Sequence, residues 1–366
     1  MTRLVLFLLI AAAVWLPSLH VLEGLGPRAR LDLAARLAAR EVASATTVDE
    51  VAGMRAVNPE WDFMRRTYTV LALSKRARAE PAERDRDLAA IDAIIDGTLR
   101  GAKDEAHFML PYAKARPFVD PSSSSLFVSG ELVAMIAARE LVAPRPELHR
   151  EAVVRAARIE RQLRASPSLS GESYPDECWT FCNTTALAGL VMLDRVDGSH
   201  EHASLATEWI AHAKAHLVEP RTGLLVSSYT YSGAVLDGPE GSSIWMSATN
   251  LLELDEAFAR DQWRRARKEL GVTFLGFGWA REWPEGQPVR PDVDSGPTIP
   301  VLDASAGSSG LAFLGAAAFG DGSYLDALFA SIELAGFRDR QTGRYRASNE
   351  VGDAVLLYAL TFEGAR

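Results

Sequence analysis

Apolar residues recur at intervals of three and four along most of the chain, which is the pattern of amphipathic α-helices. The pattern starts just after Pro27, and few segments show the alternation that β-strands need. It predicts about eleven helices, over residues 28–42, 61–76, 81–100, 126–141, 144–164, 181–195, 201–217, 244–270, 310–319, 324–336 and 353–362. This number is close to the twelve helices of six helical hairpins.

The connections between these helices alternate in character. Residues 142–145 and 198–199 form short connections, whereas longer ones are rich in Gly, Pro, Ser and aromatic residues and cover 118–125, 167–177, 219–243 and 277–309. Long loops inside a compact domain are usually functional, and disordered linkers are poor in aromatic residues. We therefore expect an all-α fold, an α/α toroid of about six hairpins over residues 27–366, with a pocket at its mouth.

Two of the connections resemble each other. Residues 221–224 read Arg-Thr-Gly-Leu, and residues 340–345 read Arg-Gln-Thr-Gly-Arg-Tyr. Each is followed by a helix, and each combines Thr with Gly as a tight turn does. We expect small β-hairpins or turns at equivalent places of a repeated helix pair.

Residues 1–26 differ from the rest of the chain. Arg3 precedes an uninterrupted apolar run over residues 4–16, which has the length of the apolar part of a signal peptide. Apolar residues resume after Pro17, and no small-x-small cleavage site follows. We expect a signal peptide or a membrane tether through residues 4–22, and thus a protein exported to the periplasm or the extracellular space.

The charge distribution and the cysteine content indicate which binding partners are to be expected. The net charge is −9, and the 39 basic residues are scattered, so a nucleic-acid partner is not expected. The two cysteines, Cys178 and Cys182, form neither a disulfide framework nor a zinc site. We expect a small-molecule substrate, and homo-oligomerisation is left open.

Residues 171–185 carry the densest group of polar and aromatic side chains, running from a loop into an apolar helix. Asp176 is expected to face free backbone N–H groups there, and the same helix end would lower the pKa of a nearby thiol. The alternative is that Asp176 only caps the helix and both cysteines pack as apolar residues.

Four further acidic residues are candidates. Asp62 lies between Trp61 and Phe63, so it is either paired with Arg65 or Arg66 or is an acid in the pocket. Glu131 is either a partner of the helix dipole or a second pocket acid. Asp292 and Asp294 lack the Gly and Glu of a calcium loop, so we expect them to line the pocket or form a turn, without a metal ion. Substrate contacts are also expected from Ser173, Asp176, Trp179, Phe127, Tyr229 and Trp245.

The sequence around these candidate residues resembles that of the linalool dehydratase/isomerase family. The similarity covers most of residues 58–325, and is carried by 175–176, 182–183, 193–198, 220–223, 232–235, 292–296 and 320–321. Asp62-Phe63, with Tyr68 six positions after the aspartate, matches the acid and the tyrosine of that family. The resemblance implies an exported α/α barrel and a cofactor-free enzyme, with Asp62, Tyr68 and Cys182 at catalytic positions.

The chain departs from the family at two positions. Gly130-Glu131 stands where the family has Gly-His, and Ser173 stands where it has a first cysteine. Losing an imidazole and a thiol changes which groups donate protons near neutral pH. Our leading hypothesis is a lyase or isomerase in which Asp62 and Glu131 share proton transfer, Tyr68 orients a substrate hydroxyl, and Cys182 is an acid or part of the wall.

Two alternatives belong to other classes of protein. A glycan-processing hydrolase, lyase or epimerase would use two carboxylates and stack sugars on Trp61, Trp179, Trp245, Trp279 and Trp283. A non-catalytic, membrane-tethered binding protein would have kept the pocket and lost the chemistry, which would account for Ser173 and Glu131.

Overall fold

The computed structural model describes residues 2–45, 56–104, 107–114, 116–287 and 298–363, which are mainly helical. The α-helices are α1 Thr2–Trp15, α2 Leu19–Glu23, α3 Pro27–Ser44, α4 Pro59–Ala79, α5 Arg84–Gly101, α6 Leu126–Glu140, α7 Pro146–Ala165, α8 Thr180–Asp197, α9 Ala203–His216, α10 Gly241–Asn250, α11 Glu256–Glu269, α12 Ala306–Phe319, α13 Gly322–Ala335 and α14 Glu350–Glu363. The strands are β1 Cys178–Trp179, β2 Ser228–Tyr229, β3 Val235–Asp237, β4 Gly271–Phe274, β5 Phe277–Ala280, β6 Thr298–Ile299 and β7 Ala304–Ser305. They form one sheet in the order β1-β2-β3 and a second in the order β4-β5-β7-β6.

The helices form two concentric rings. In the inner ring α4, α6, α8, α10, α12 and α14 each pack against the next, and α14 packs against α4 to close the ring. In the outer ring α5, α7, α9, α11 and α13 each pack on the inner helix that precedes them, and α3 packs on α14. The predicted α/α toroid of six hairpins with small β-hairpins is confirmed.

An inner helix is enclosed on all sides, and its sequence therefore differs from that of an outer helix. Every residue of α6 is buried, whereas α11 buries only one face, formed around Phe258 and Trp263. Two glycines let α6 and α8 approach closely. A Cβ at Gly130 would lie 2.8 Å from the Cβ of Ala186, and one at Gly189 would lie 2.9 Å from the backbone nitrogen of Ala134.

One expected helix is divided. Residues 244–270 form α10, a 3-10 turn over Leu251–Glu253, and α11. The side chain of Asp255 accepts a hydrogen bond from the backbone N–H of Phe258 at 3.0 Å and so caps the new helix. The chain can therefore turn from the inner ring to the outer ring within an apolar sequence.

The two similar turns occupy equivalent places, as expected. Val218 bridges Leu225 just after α9, and Arg338 bridges Tyr345 just after α13. Gly223 and Gly343 both have left-handed backbones, with φ of 71° and 81°, and each donates to the carbonyl four residues earlier. The turns are repeats of one local structure at the ends of two outer helices.

The N-terminal segment joins the outer wall of the toroid. Among the described residues one helix is long and apolar enough to cross a membrane, Thr2–Glu23, and its apolar window is not buried. This is compatible with a signal peptide or an anchor. The segment then packs along α13 through α2, Leu25 is buried, and Arg30 of α3 pairs with Asp326 and with Glu363 at the C-terminal end of α14.

Candidate active site

A cavity of about 360 Å³ lies where the six inner helices begin. Each inner helix contributes side chains from its first turns, among them Trp61, Phe127, Cys182, Met246, Leu311 and Val355. The connections that precede these helices supply Tyr112, Tyr174, Trp179 and Ser348. The N-terminal ends of helix dipoles therefore surround the cavity, and they favour negative charge inside it.

Glu60 is the one acidic residue that lines the cavity within the described parts of the chain. It lies in the first turn of α4, where the side chain of Asn58 accepts from the Glu60 N–H at 2.8 Å and caps the helix. The Tyr174 hydroxyl donates to the Glu60 carboxylate and accepts from the backbone N–H of Leu110 at 3.0 Å. The carboxylate is thus held at the wall by a neighbouring loop.

Glu131 lies behind the cavity wall and is almost fully buried. Burial raises the pKa of Glu131 to about 8, and the Thr67 hydroxyl, which donates to its carboxylate, opposes the shift. The negative charge of Glu60 acts in the same direction as burial. Glu131 is therefore predominantly neutral at pH 7, close to a carboxylate that faces the cavity.

Tyr68 is next to Glu131 in the lumen of the toroid. Burial raises the pKa of Tyr68, and the negative charge of Glu131 adds to the effect. The Tyr68 ring packs against Tyr358, with 5.9 Å between the ring centroids. Tyr68 does not line the cavity, so the structure gives no direct support for its predicted contact with a substrate hydroxyl.

Asp62 does not reach the cavity, so we do not carry its predicted acid/base role forward. Its fully buried carboxylate forms two hydrogen bonds with Arg66, each 3.1 Å long. Arg65 is engaged elsewhere, with Glu41 at 3.0 Å. The pairing interpretation of Asp62 therefore holds, with Arg66 as the partner, because side chains four residues apart meet on one helix face.

The two cysteines lie in different places, and the thiols of both have a raised pKa. Cys182 lines the cavity from the first turn of α8, and Ser173 hydrogen-bonds its thiol. Cys178 lies in β1, outside the cavity. Burial raises the pKa of both thiols, and nearby carboxylates add to the rise, so the expected lowering by the helix N-terminus was wrong.

Asp176 does not face the start of a helix. The helix begins at Thr180 with Trp179 as its capping position, and Asp176 sits upstream in a left-handed turn with φ of 59°. Its carboxylate accepts from the backbone N–H of Tyr231 at 3.1 Å. The predicted position at the helix start was wrong, and so was the capping alternative. Asp176 does not line the cavity and instead fixes one loop against another.

The other predicted substrate contacts divide into two groups. Phe127 and Trp179 line the cavity, whereas Ser173 is buried beside it. Tyr229 and Trp245 are fully buried elsewhere, hydrogen-bonded to Ser170 at 2.7 Å and to Ser308 at 2.9 Å. Their expected contact with substrate is not supported, because their polar groups are used inside the core.

Asp292 and Asp294 lie outside the described residues. Within the described ranges, no group of three or more His, Cys, Asp or Glu side chains is arranged to hold a metal ion. Of the five tryptophans considered for sugar stacking, Trp61 and Trp179 line the cavity. Glu60 and Tyr112 were not identified from the sequence, although an acid directly after Asn58-Pro59 is a recognisable helix start.

No protein-family model and no curated protein matches the chain. Among solved structures, the chain is similar to an inactive variant of the α-1,6-mannanase GH76A of Salegentibacter sp. bound to α-1,6-mannotriose, with a TM-score of 0.56, 10% identity, and coverage of 90% of this chain and 98% of that one. It is also similar to unsaturated glucuronyl hydrolase of Bacillus sp. GL1, with a TM-score of 0.52, 13% identity, and coverage of 80% and 84%.

A third similar structure is the GH76 α-mannanase BT2949 of Bacteroides thetaiotaomicron, with a TM-score of 0.50, 11% identity, and coverage of 82% and 85%. At these identities the similarity establishes the α/α toroid fold. It supports the α/α-barrel fold that the family resemblance implies, and it gives no support to an activity on linalool.

Proposed function

We propose that this protein is a carbohydrate-processing enzyme in which Glu60 transfers protons to and from a sugar bound in the mouth cavity. The observation that carries the proposal is the Glu60 carboxylate, fixed by the Tyr174 hydroxyl at the wall of a cavity that Trp61 and Trp179 also line. Sugar rings present apolar C–H faces that stack on indole rings. The toroid structures similar to this chain include enzymes that process glycans.

The arrangement favours proton transfer at one sugar position, as in a lyase or an epimerase. A glycosidase normally flanks the scissile bond with two carboxylic groups. In the described part of the chain Glu60 is the only acidic residue that lines the cavity, whereas Glu131 lies behind the wall and is predominantly neutral at pH 7. A neutral Glu131 avoids repulsion between two anions, so Glu60 can take a proton from a sugar carbon and pass it to the leaving oxygen, as a syn elimination requires. Epimerisation requires in addition that a proton from water reach the opposite face of that carbon.

The test is a reaction screen with the full-length protein in detergent, using neutral and uronic-acid oligosaccharides. Deuterium uptake from D2O at a sugar carbon would report epimerisation, a new ultraviolet absorbance would report elimination, and new reducing ends would report hydrolysis. Glu60→Gln should lower kcat by about 100-fold or more and leave binding. The matched control is Glu256→Gln, a change at a side chain that is 66% exposed on α11. A kcat of Glu60→Gln close to that of the control would refute the assignment.

A second candidate is the cofactor-free dehydratase or isomerase that acts on a small, apolar alcohol. The observation in its favour is the apolar part of the wall, formed by Met64, Phe127, Met246, Leu311 and Val355. Terpenoid alcohols belong in the same screen, with product detection by mass spectrometry. Saturable binding of either ligand class without turnover would instead favour the binding-protein alternative.

A further inference from the structure

We propose that residues 2–23 stay attached as a membrane anchor, and that the tip of the β4–β5 hairpin rests in the lipid headgroup region beside it. The tip consists of Phe274 and Leu275. This interaction surface is independent of the reaction proposed above. It follows from the way the apolar N-terminal helix joins the toroid.

The N-terminal helix has the length of a membrane span. Thr2–Glu23 comprises 22 residues, and its most apolar 18-residue window has a mean hydropathy of 2.3. Residues 2–18 precede the part that packs on the toroid, and at a rise of about 1.5 Å per residue they extend roughly 25 Å. The exposed Val21 and Leu22 continue the apolar surface toward the edge of a hydrocarbon core of about 30 Å. None of the apolar window of this helix is buried against the protein.

No free linker separates this helix from the toroid. α2 packs on α13, and the ring of His20 meets the edge of Phe277 with 6.4 Å between centroids. His20 also fills the space above Gly276, where an added Cβ would come within 2.1 Å of its ring. Removal of residues 1–22 by a signal peptidase would expose this side of the hairpin, so the packing favours retention.

The hairpin tip must therefore lie close to the membrane surface. Gly276 touches His20, and the next residues of the helix, Val21 and Leu22, expose their side chains to the outside. On the hairpin, Phe274 is 62% exposed and Leu275 is 39% exposed. The helix that contacts the tip is the one that enters the bilayer, so lipid is the partner that these four apolar side chains meet.

The experiment places an environment-sensitive nitrobenzoxadiazole label at Leu275→Cys in the full-length protein. Cys178 and Cys182 are buried, so the introduced thiol is the one that reacts. The protein is reconstituted into vesicles of phosphatidylcholine and phosphatidylglycerol that contain a headgroup-level spin-labelled lipid. We expect a blue shift and strong quenching of the label at residue 275.

The matched control is the same label at Val154→Cys. Val154 is an exposed apolar residue on α7, the outer helix on the opposite side of the ring from α13. We expect its fluorescence to resemble that of a label in water. Equal quenching at residues 154 and 275, or none at 275, would overturn the proposal.

A second measurement tests the anchor alone. The intact mass of the protein extracted from membranes should include residues 2–23. A mature protein that begins after Glu23 would refute the proposal whatever the label reports, because the anchor that holds the hairpin at the bilayer would then be missing.

Discussion

The hydroxyl of Tyr174 donates a hydrogen bond to the carboxylate of Glu60, and so joins the loop before β1 to the first turn of α4. The same hydroxyl accepts from the N–H of Leu110. Three segments far apart in sequence thus meet at one oxygen atom. The position of the proposed acid/base group depends on all three.

Tyr174→Phe should lower kcat/KM roughly fivefold to tenfold, equivalent to about 1 kcal/mol, because it removes the donor that orients Glu60. Steady-state kinetics and urea unfolding would be compared. The control is Tyr324→Phe, which removes a buried 2.7 Å hydrogen bond to the Trp279 carbonyl away from the cavity. Equal losses of activity in both variants would show a stability effect only.

Glu60→Gln and Asp62→Asn should have opposite consequences, although the two residues are neighbours. Glu60→Gln should reduce kcat by about 100-fold or more with little change in stability, the scale of a lost general acid/base. Asp62→Asn should cost roughly 3 kcal/mol or more, because Arg66 loses a buried carboxylate, while the folded fraction keeps its kcat. Activity per folded molecule, after correction by urea unfolding, separates them.

Glu131→Gln should change how stability depends on pH. The folded chain keeps a proton on Glu131 up to about pH 8, whereas the unfolded chain releases it near 4.5. Stability of the native protein should therefore fall as pH rises through this interval, by at most about 5 kcal/mol. The amide mimics the protonated acid, so the variant should match the native protein at pH 5 and exceed it at pH 9. A parallel pH dependence in both proteins would contradict the assignment.

Both thiols should react slowly in the native protein. Burial raises the pKa of Cys178 and Cys182, and the thiolate is the species that alkylating reagents attack. We expect iodoacetamide at pH 8 to label the native protein at least about 100-fold more slowly than the protein in urea. Fast labelling of Cys182 alone would mean that the cavity stabilises its thiolate.

The fold could be predicted from the sequence because the outer helices keep an apolar period, and the inner helices are apolar stretches of helical length. The apolar pattern predicted the helical hairpins. It could not show that Asp255 caps a new helix and so divides residues 244–270. It also could not show that α3 pairs with α14, since that contact joins the two ends of the chain.

The site was only partly predictable, because helix phase and loop paths decide which side chains face the cavity. Glu60 and Asp62 are two residues apart, which is about 200° around a helix, so one faces the cavity and the other Arg66. The family resemblance implied that Asp62, and not Glu60, is the acid of the site. Tyr112 and Tyr174 lie in connections whose path no periodicity determines.

The two ends of α14 have different roles, and this sets the distance between the cavity and the place where the N-terminal segment joins the toroid. Its C-terminal Glu363 pairs with Arg30, where that segment joins, while Val351 and Val355 at its other end line the cavity. A helix of 14 residues measures about 21 Å, so the cavity lies roughly that far from the junction. With the proposed anchor in place, the cavity mouth would stand clear of the lipid headgroups.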